Sequence, residues 1–117
     1  MKFNKILRVL AVFAILQSGL VTFLYAQTDT VVVKTSALCE QCKKRIEHDL
    51  SFEKGVKSSS MDIDTKEVTV IYNAQKTDVN RIRTAITKIG YDADSLKADE
   101  KAFNRLPECC RIPESHH

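Results

Sequence analysis

Two of the chain's four cysteines, Cys39 and Cys42, stand three positions apart in Ser36-Ala37-Leu38-Cys39-Glu40-Gln41-Cys42-Lys43-Lys44-Arg45. Thiolates are soft ligands that select Cu(I), Zn(II) and related ions over Mg(II) or Ca(II). A pair at this spacing can chelate an ion, exchange a disulfide or close a structural bridge. The bridge is the weakest use, because so short a loop removes little entropy from the unfolded chain. Redox-active pairs want an aromatic or Gly-Pro-type setting, and Glu40-Gln41 supplies neither. Two thiolates alone suit an ion that accepts two-coordination, whereas structural Zn(II) wants four protein ligands. At a helix N-terminus, free N–H groups and the helix dipole favour thiolate over thiol, and Lys43, Lys44 and Arg45 add charge of the same sign.

The other two cysteines, Cys109 and Cys110, are adjacent. Neighbouring Cα atoms lie about 3.8 Å apart, closer than an ordinary disulfide tolerates, so a bridge between them would be strained. Three readings stay open. The pair folds back toward Cys39 and Cys42 and raises the set to as many as four sulfurs, a fit for Zn(II), Cd(II) or a Cu(I) cluster. One of the two closes a disulfide with the first pair, or both are tail residues without a role. His48, six residues after Cys42, lies about 240° round a helix from it and faces away. His116 and His117 end the chain.

The elements that position these groups follow from periodicity. Thr30 to Thr35 is β-branched, with Val31, Val33 and Thr35 on one face. From Gln41 to Phe52, Cys42, Ile46 and Leu50 repeat every four residues, so Cys42 continues the buried stripe of its own helix. Gly55 ends that unit. Val56 to Ile63 is a weaker strand, and Lys66 to Tyr72 alternates clearly through Val68, Val70 and Tyr72. Thr77 is the expected N-cap of a second helix, with Asp78 in its first turn and Val79, Ile82, Ile86 and Ile89 as its apolar side. Gly90 stands where a C′ residue stands, and Tyr91 to Lys97 supplies a fourth strand. A short extra helix is expected from Asp99 to Leu106, with Ala98, Ala102, Phe103 and Leu106 apolar and Pro107 stopping it.

The order is βαββαβ, the ferredoxin-like α+β sandwich: a four-stranded antiparallel sheet with two helices on one face, followed by the short C-terminal helix. With CxxC between the first strand and helix, residues Thr30 to Lys97 resemble the heavy-metal-associated (HMA) domain family of copper chaperones, metal-pump N-terminal domains and the periplasmic mercury-binding protein. The resemblance implies that Cys39 and Cys42 bind Cu(I) first of all, with Hg(II) or Zn(II) as further candidates. It also implies that Tyr91, in Gly90-Tyr91-Asp92-Ala93, lies near the thiolates; the alternative is an ordinary core aromatic at a strand start. The family commonly has Met two residues before the first cysteine and Thr just before it, where this chain has Ala37 and Leu38.

Lys2, Lys5 and Arg8 precede an uncharged run from Val9 to Ala26 that ends in Leu24-Tyr25-Ala26. This pattern is that of a secretory signal peptide (1–26) cleaved after Ala26, and the competing reading is an uncleaved membrane anchor. The formal net charge of +3 is the excess carried by those three leader residues. The remainder is balanced, which removes basicity as an argument for nucleic-acid binding. Roughly 90 residues are left, one small domain (27–97) with a helix and Cys-Cys tail (98–117). The expectation is a periplasmic, monomeric soft-metal carrier without a membrane segment in its mature form and without enzymatic machinery. It would pass its ion by thiolate exchange to a metal-transporting membrane protein or its metal-binding domain. A thiol–disulfide exchange protein using both cysteine pairs is the alternative.

Overall fold

The computed structural model describes residues 27–111. The expected leader and the last residues, His116 and His117 among them, lie outside that range. Three strands form one sheet: β1 (Thr28–Lys34), β2 (Val56–Asp62) and β3 (Glu67–Asn73), in the order β1-β3-β2 with both pairings antiparallel. Helices α1 (Glu40–Leu50) and α2 (Val79–Ile89) follow β1 and β3, and two short helices, α3 (Glu100–Arg105) and α4 (Glu108–Arg111), complete the described chain. Among the described residues, no helix is long and apolar enough to cross a membrane.

Alternation places Val33, Val68 and Val70 on the covered face of the sheet, where they are fully buried, while Val32 and Ile71 stay on the open face. The i, i+4 stripe of α1 and Ile82 and Ile86 of α2 fill the space above that covered face. Asp78, not Thr77, caps α2, its carboxylate accepting the Arg81 N–H at 2.8 Å. Thr77 is buried instead, with its methyl against Gly55. Carboxylate and hydroxyl are both good caps, and burial of the threonine methyl settles which residue turns outward. Gly90 closes α2 at φ 122°, as expected of a C′ glycine.

The sheet has three strands, not the four expected. Tyr91 to Lys97 makes only single bridges, Thr35 with Ala93 and Ala93 with Leu96. Ala93 and Leu96 exchange hydrogen bonds across a tight turn in which Asp94 takes a φ of 53°. Asp94 then replaces the strand locally: its N–H donates to the Lys34 carbonyl, and its Oδ1 accepts the Lys34 N–H at 2.9 Å. A side chain that bonds the neighbouring backbone removes the reason for the chain to stay extended.

Past that turn, Asp99 caps α3 by accepting from the Ala102 N–H, and Ala102 and Leu106 are buried. Phe103, expected on the apolar side, is more than one-third exposed. Leu106 is extended, as a residue before proline must be, and Pro107 is followed by a further single turn, α4.

Candidate metal centre

Cys39 occupies the N-cap position of α1, where its extended backbone turns the chain out of β1 and into the helix. Cys42 lies on the inner side of the first turn and is fully buried, while Cys39 is half-buried. Their sulfurs are 3.3 Å apart. The loop before them is fastened from both sides. Thr35 Oγ1 donates to the Lys66 carbonyl at 2.9 Å and accepts the Ala37 N–H. Ser36 Oγ accepts the Asp92 N–H at 2.9 Å. Ala37, where a methionine is common in the resembled family, is fully buried.

The C-terminal turn α4 brings a third sulfur. Cys110 Sγ lies 3.9 Å from Cys39 Sγ, and Cys110 is buried. The sulfurs of Cys39, Cys42 and Cys110 all lie within 4.8 Å of one another. Cys109 is not in this set. It is exposed, 3.9 Å from Cys110 Sγ, and its thiol donates to Gln41 Oε1 at 3.1 Å. The structure thus gathers three of the four cysteines.

Tyr91 is buried at the same place, its backbone held by the Tyr91 N–H to Ile86 carbonyl bond and by the Ser36 contact one residue on. Its hydroxyl has no hydrogen-bond partner of ordinary geometry, yet it is near enough to Cys42 and Cys110 to influence both thiols. Burial raises the Cys42 pKa, but donation toward its sulfur from the Tyr91 hydroxyl, the Leu38 N–H, Cys110 and Cys39 outweighs burial, so the net shift is downward. Cys39 moves the other way. Burial and the neighbouring Cys42 raise it against the lowering effect of the Cys42 and Gln41 N–H groups. Cys110 is pushed up to about 12 by burial and by Cys42, and burial likewise raises the Tyr91 phenol.

This corrects one expectation. The N–H groups of the helix end act on Cys39 as well, but burial outweighs them there, so only Cys42 is lowered on balance where both were expected to be. Of the two paired sulfurs, the inner one of Cys42 is the one whose thiolate is favoured, by neutral donors around it. A disulfide-exchange nucleophile needs the reverse, an accessible thiolate. His48 is exposed and pairs with Asp49, away from the sulfurs. Sequence reasoning passed over Ser36, whose only signal was a hydroxyl beside the cysteine loop, and Gln41, which reads as an ordinary helix-surface residue.

The heavy-metal-associated domain profile matches residues 32–92. The copper-exporting P-type ATPase of Staphylococcus aureus (strain JH9) is 36% identical over 67 residues, which are 57% of this chain and 8% of that protein. The chain therefore spans less than a tenth of the curated relatives it matches. Among solved structures, the CopZ metallochaperone superposes with a TM-score of 0.53 at 27% identity, over 56% of this chain and 98% of that one. Oxidized MerP from Ralstonia metallidurans CH34 superposes with a TM-score of 0.56 at 23% identity, over 58% and 96%, and shows likeness of fold. The matched residues take in the end of β1, the cysteine loop, both core helices and Tyr91, and stop short of Cys109 and Cys110; this chain belongs to the heavy-metal-associated domain family.

Proposed function

We propose that the protein is an exported carrier of a soft metal ion, Cu(I) foremost and Hg(II) or Zn(II) as weaker matches. It passes the ion by thiolate exchange to a metal-transporting membrane protein. The observation that carries this reading is the 3.3 Å approach of the Cys39 and Cys42 sulfurs at the β1–α1 junction, with Cys39 open to solvent on one side. Sulfur chemistry selects the class of ion. The likeness to a protein named as a metallochaperone supports the carrier role, and the likeness to part of a copper-exporting ATPase supports a partner that itself contains such a domain.

Cys39 serves as the entering and leaving ligand because it is the accessible sulfur; Cys42 is the retaining one because it is buried. Export rests on the basic start and uncharged run of residues 1–26. Two measurements test the proposal. Anaerobic titration of the reduced protein with Cu(I) against a chromophoric chelator should show tight uptake that Cys39→Ser/Cys42→Ser abolishes; equal uptake by that variant overturns it. N-terminal sequencing of the protein from the periplasmic fraction should begin at Gln27, and a retained leader in the membrane fraction would replace the free carrier by an anchored one.

A further inference from the structure

The third sulfur stands on a segment outside the matched domain. Leu106 of the α3–α4 segment lies against Gly90 so closely that a Cβ there would come within 3.0 Å of it, and the Asp99 N–H donates to the Thr87 carbonyl at 2.9 Å. The segment is therefore seated on the end of α2, beside Tyr91. From that seat α4 turns Cys110 inward to 3.9 Å from the sulfur of Cys39, the more accessible member of the first pair. A second observation points to the same space. The Tyr91 hydroxyl is buried at this site and has no hydrogen-bond partner among the described residues.

The distances are compatible with three ligands, all three sulfurs lying within 4.8 Å of one another. With metal–sulfur bonds of about 2.3 Å, a linear pair stands about 4.6 Å apart and a trigonal set about 4.0 Å. The Cys39–Cys110 separation already meets the trigonal value, and the Cys39–Cys42 separation of 3.3 Å opens by about 0.7 Å to reach it.

We infer that Cys110 is a built-in third ligand for the carried ion, and that the α3–α4 segment is a tethered lid holding it in the position a partner's thiolate must take. This inference rests on the carrier reading and adds a retention device to it. In transfer, an acceptor thiolate bonds to the ion as the metal bond to Cys110 Sγ breaks. The proton given up by the acceptor thiol passes through solvent to the freed Cys110, and no oxidation state changes. A ligand attached to the same chain competes at high effective concentration, so the lid slows loss to weak scavengers more than exchange with a docked dithiol.

The test uses the full, reduced chain loaded anaerobically with Cu(I) alone. X-ray absorption should give three sulfur neighbours for wild type and for Cys109→Ser, and two for Cys110→Ser. Cys110→Ser should also lose the ion to a competing chelator about tenfold more readily, and pass it faster to dithiothreitol. Leu106→Ala keeps every sulfur but loosens the seat, so it should weaken retention in the same direction, and it stands in should Cys110→Ser fail to fold. Two sulfur neighbours in wild type, or retention unchanged in both variants, overturns the lid and leaves a two-thiolate carrier. No uptake by wild type overturns both readings.

Discussion

Ser36 Oγ accepts the Asp92 N–H at 2.9 Å, and this one bond ties the loop that carries Cys39 to the loop that carries Tyr91. The donor is partly buried, so removing its acceptor leaves it without a partner. Ser36→Ala should cost about 1–2 kcal/mol in chemical denaturation. It should also loosen the Tyr91 side of the site, read as faster hydrogen exchange at Asp92.

Tyr91→Phe removes the largest of the influences that lower Cys42 and leaves burial opposed only by the Leu38 N–H, Cys110 and Cys39. The ultraviolet absorbance of thiolate in the reduced, metal-free protein should then appear at higher pH than in wild type. Folding stability should hold within about 1 kcal/mol, because the lost hydroxyl is buried without an ordinary hydrogen bond.

Gly90→Ala puts a Cβ 3.0 Å from two Leu106 carbons and 3.1 Å from the Ala102 carbonyl, on a backbone at φ 122°. Strain and contact act together, so a loss of about 1–3 kcal/mol is expected. The damage should concentrate in α3 and α4. Limited proteolysis should cut first near Pro107, before the sheet is attacked.

Asp94 bonds the Lys34 N–H and takes an ion pair from Arg83 Nε at 2.8 Å. The Lys34 N–H lowers its pKa most; burial opposes this, and Arg83 adds to the lowering, so the net shift is downward. Its contribution to stability is therefore complete above the unfolded carboxyl value of about 3.9 and fades as pH falls through the lower folded value. Asp94→Asn should be less stable than wild type at neutral pH and should narrow that gap in acid, measured by denaturant midpoints along a pH series.

Lys43 and Lys44 lie on the surface of α1 beside the cysteine loop, Lys43 partly covered and Lys44 exposed. Reversing both charges should slow metal transfer to an acidic acceptor domain several-fold at low salt, with little change at high salt. Stopped-flow transfer at two ionic strengths reads this out, and an unchanged rate would leave that face without a docking role.

The legible parts of this fold are those where one residue type recurs at a fixed period. Cys42, Ile46 and Leu50 announce α1, Val68, Val70 and Tyr72 announce β3, and Gly90 announces the end of α2. Tyr91 to Lys97 deceived because Tyr91 and Ala93 do alternate inward, while the feature that breaks the strand is a side-chain bond from Asp94 to a residue sixty positions away. The same limit applies at the site. The spacing of Cys39 and Cys42 shows a local chelating pair, but no spacing shows that Cys110 arrives beside them. That depends on Leu106 meeting a glycine on another helix. Nor does adjacency separate Cys109 from Cys110; the single turn of α4 points one sulfur inward and the other to Gln41.

The seating of α4 has a consequence for how the molecule holds together. An ion shared by Cys39, Cys42 and Cys110 would staple the first loop of the domain to its last helical turn, enclosing nearly the whole of the described chain in one ring. Cross-links that span long stretches restrict the unfolded ensemble most. Cargo and architecture would then be coupled: loading tightens the protein from end to end, and handing the ion on reopens the ring.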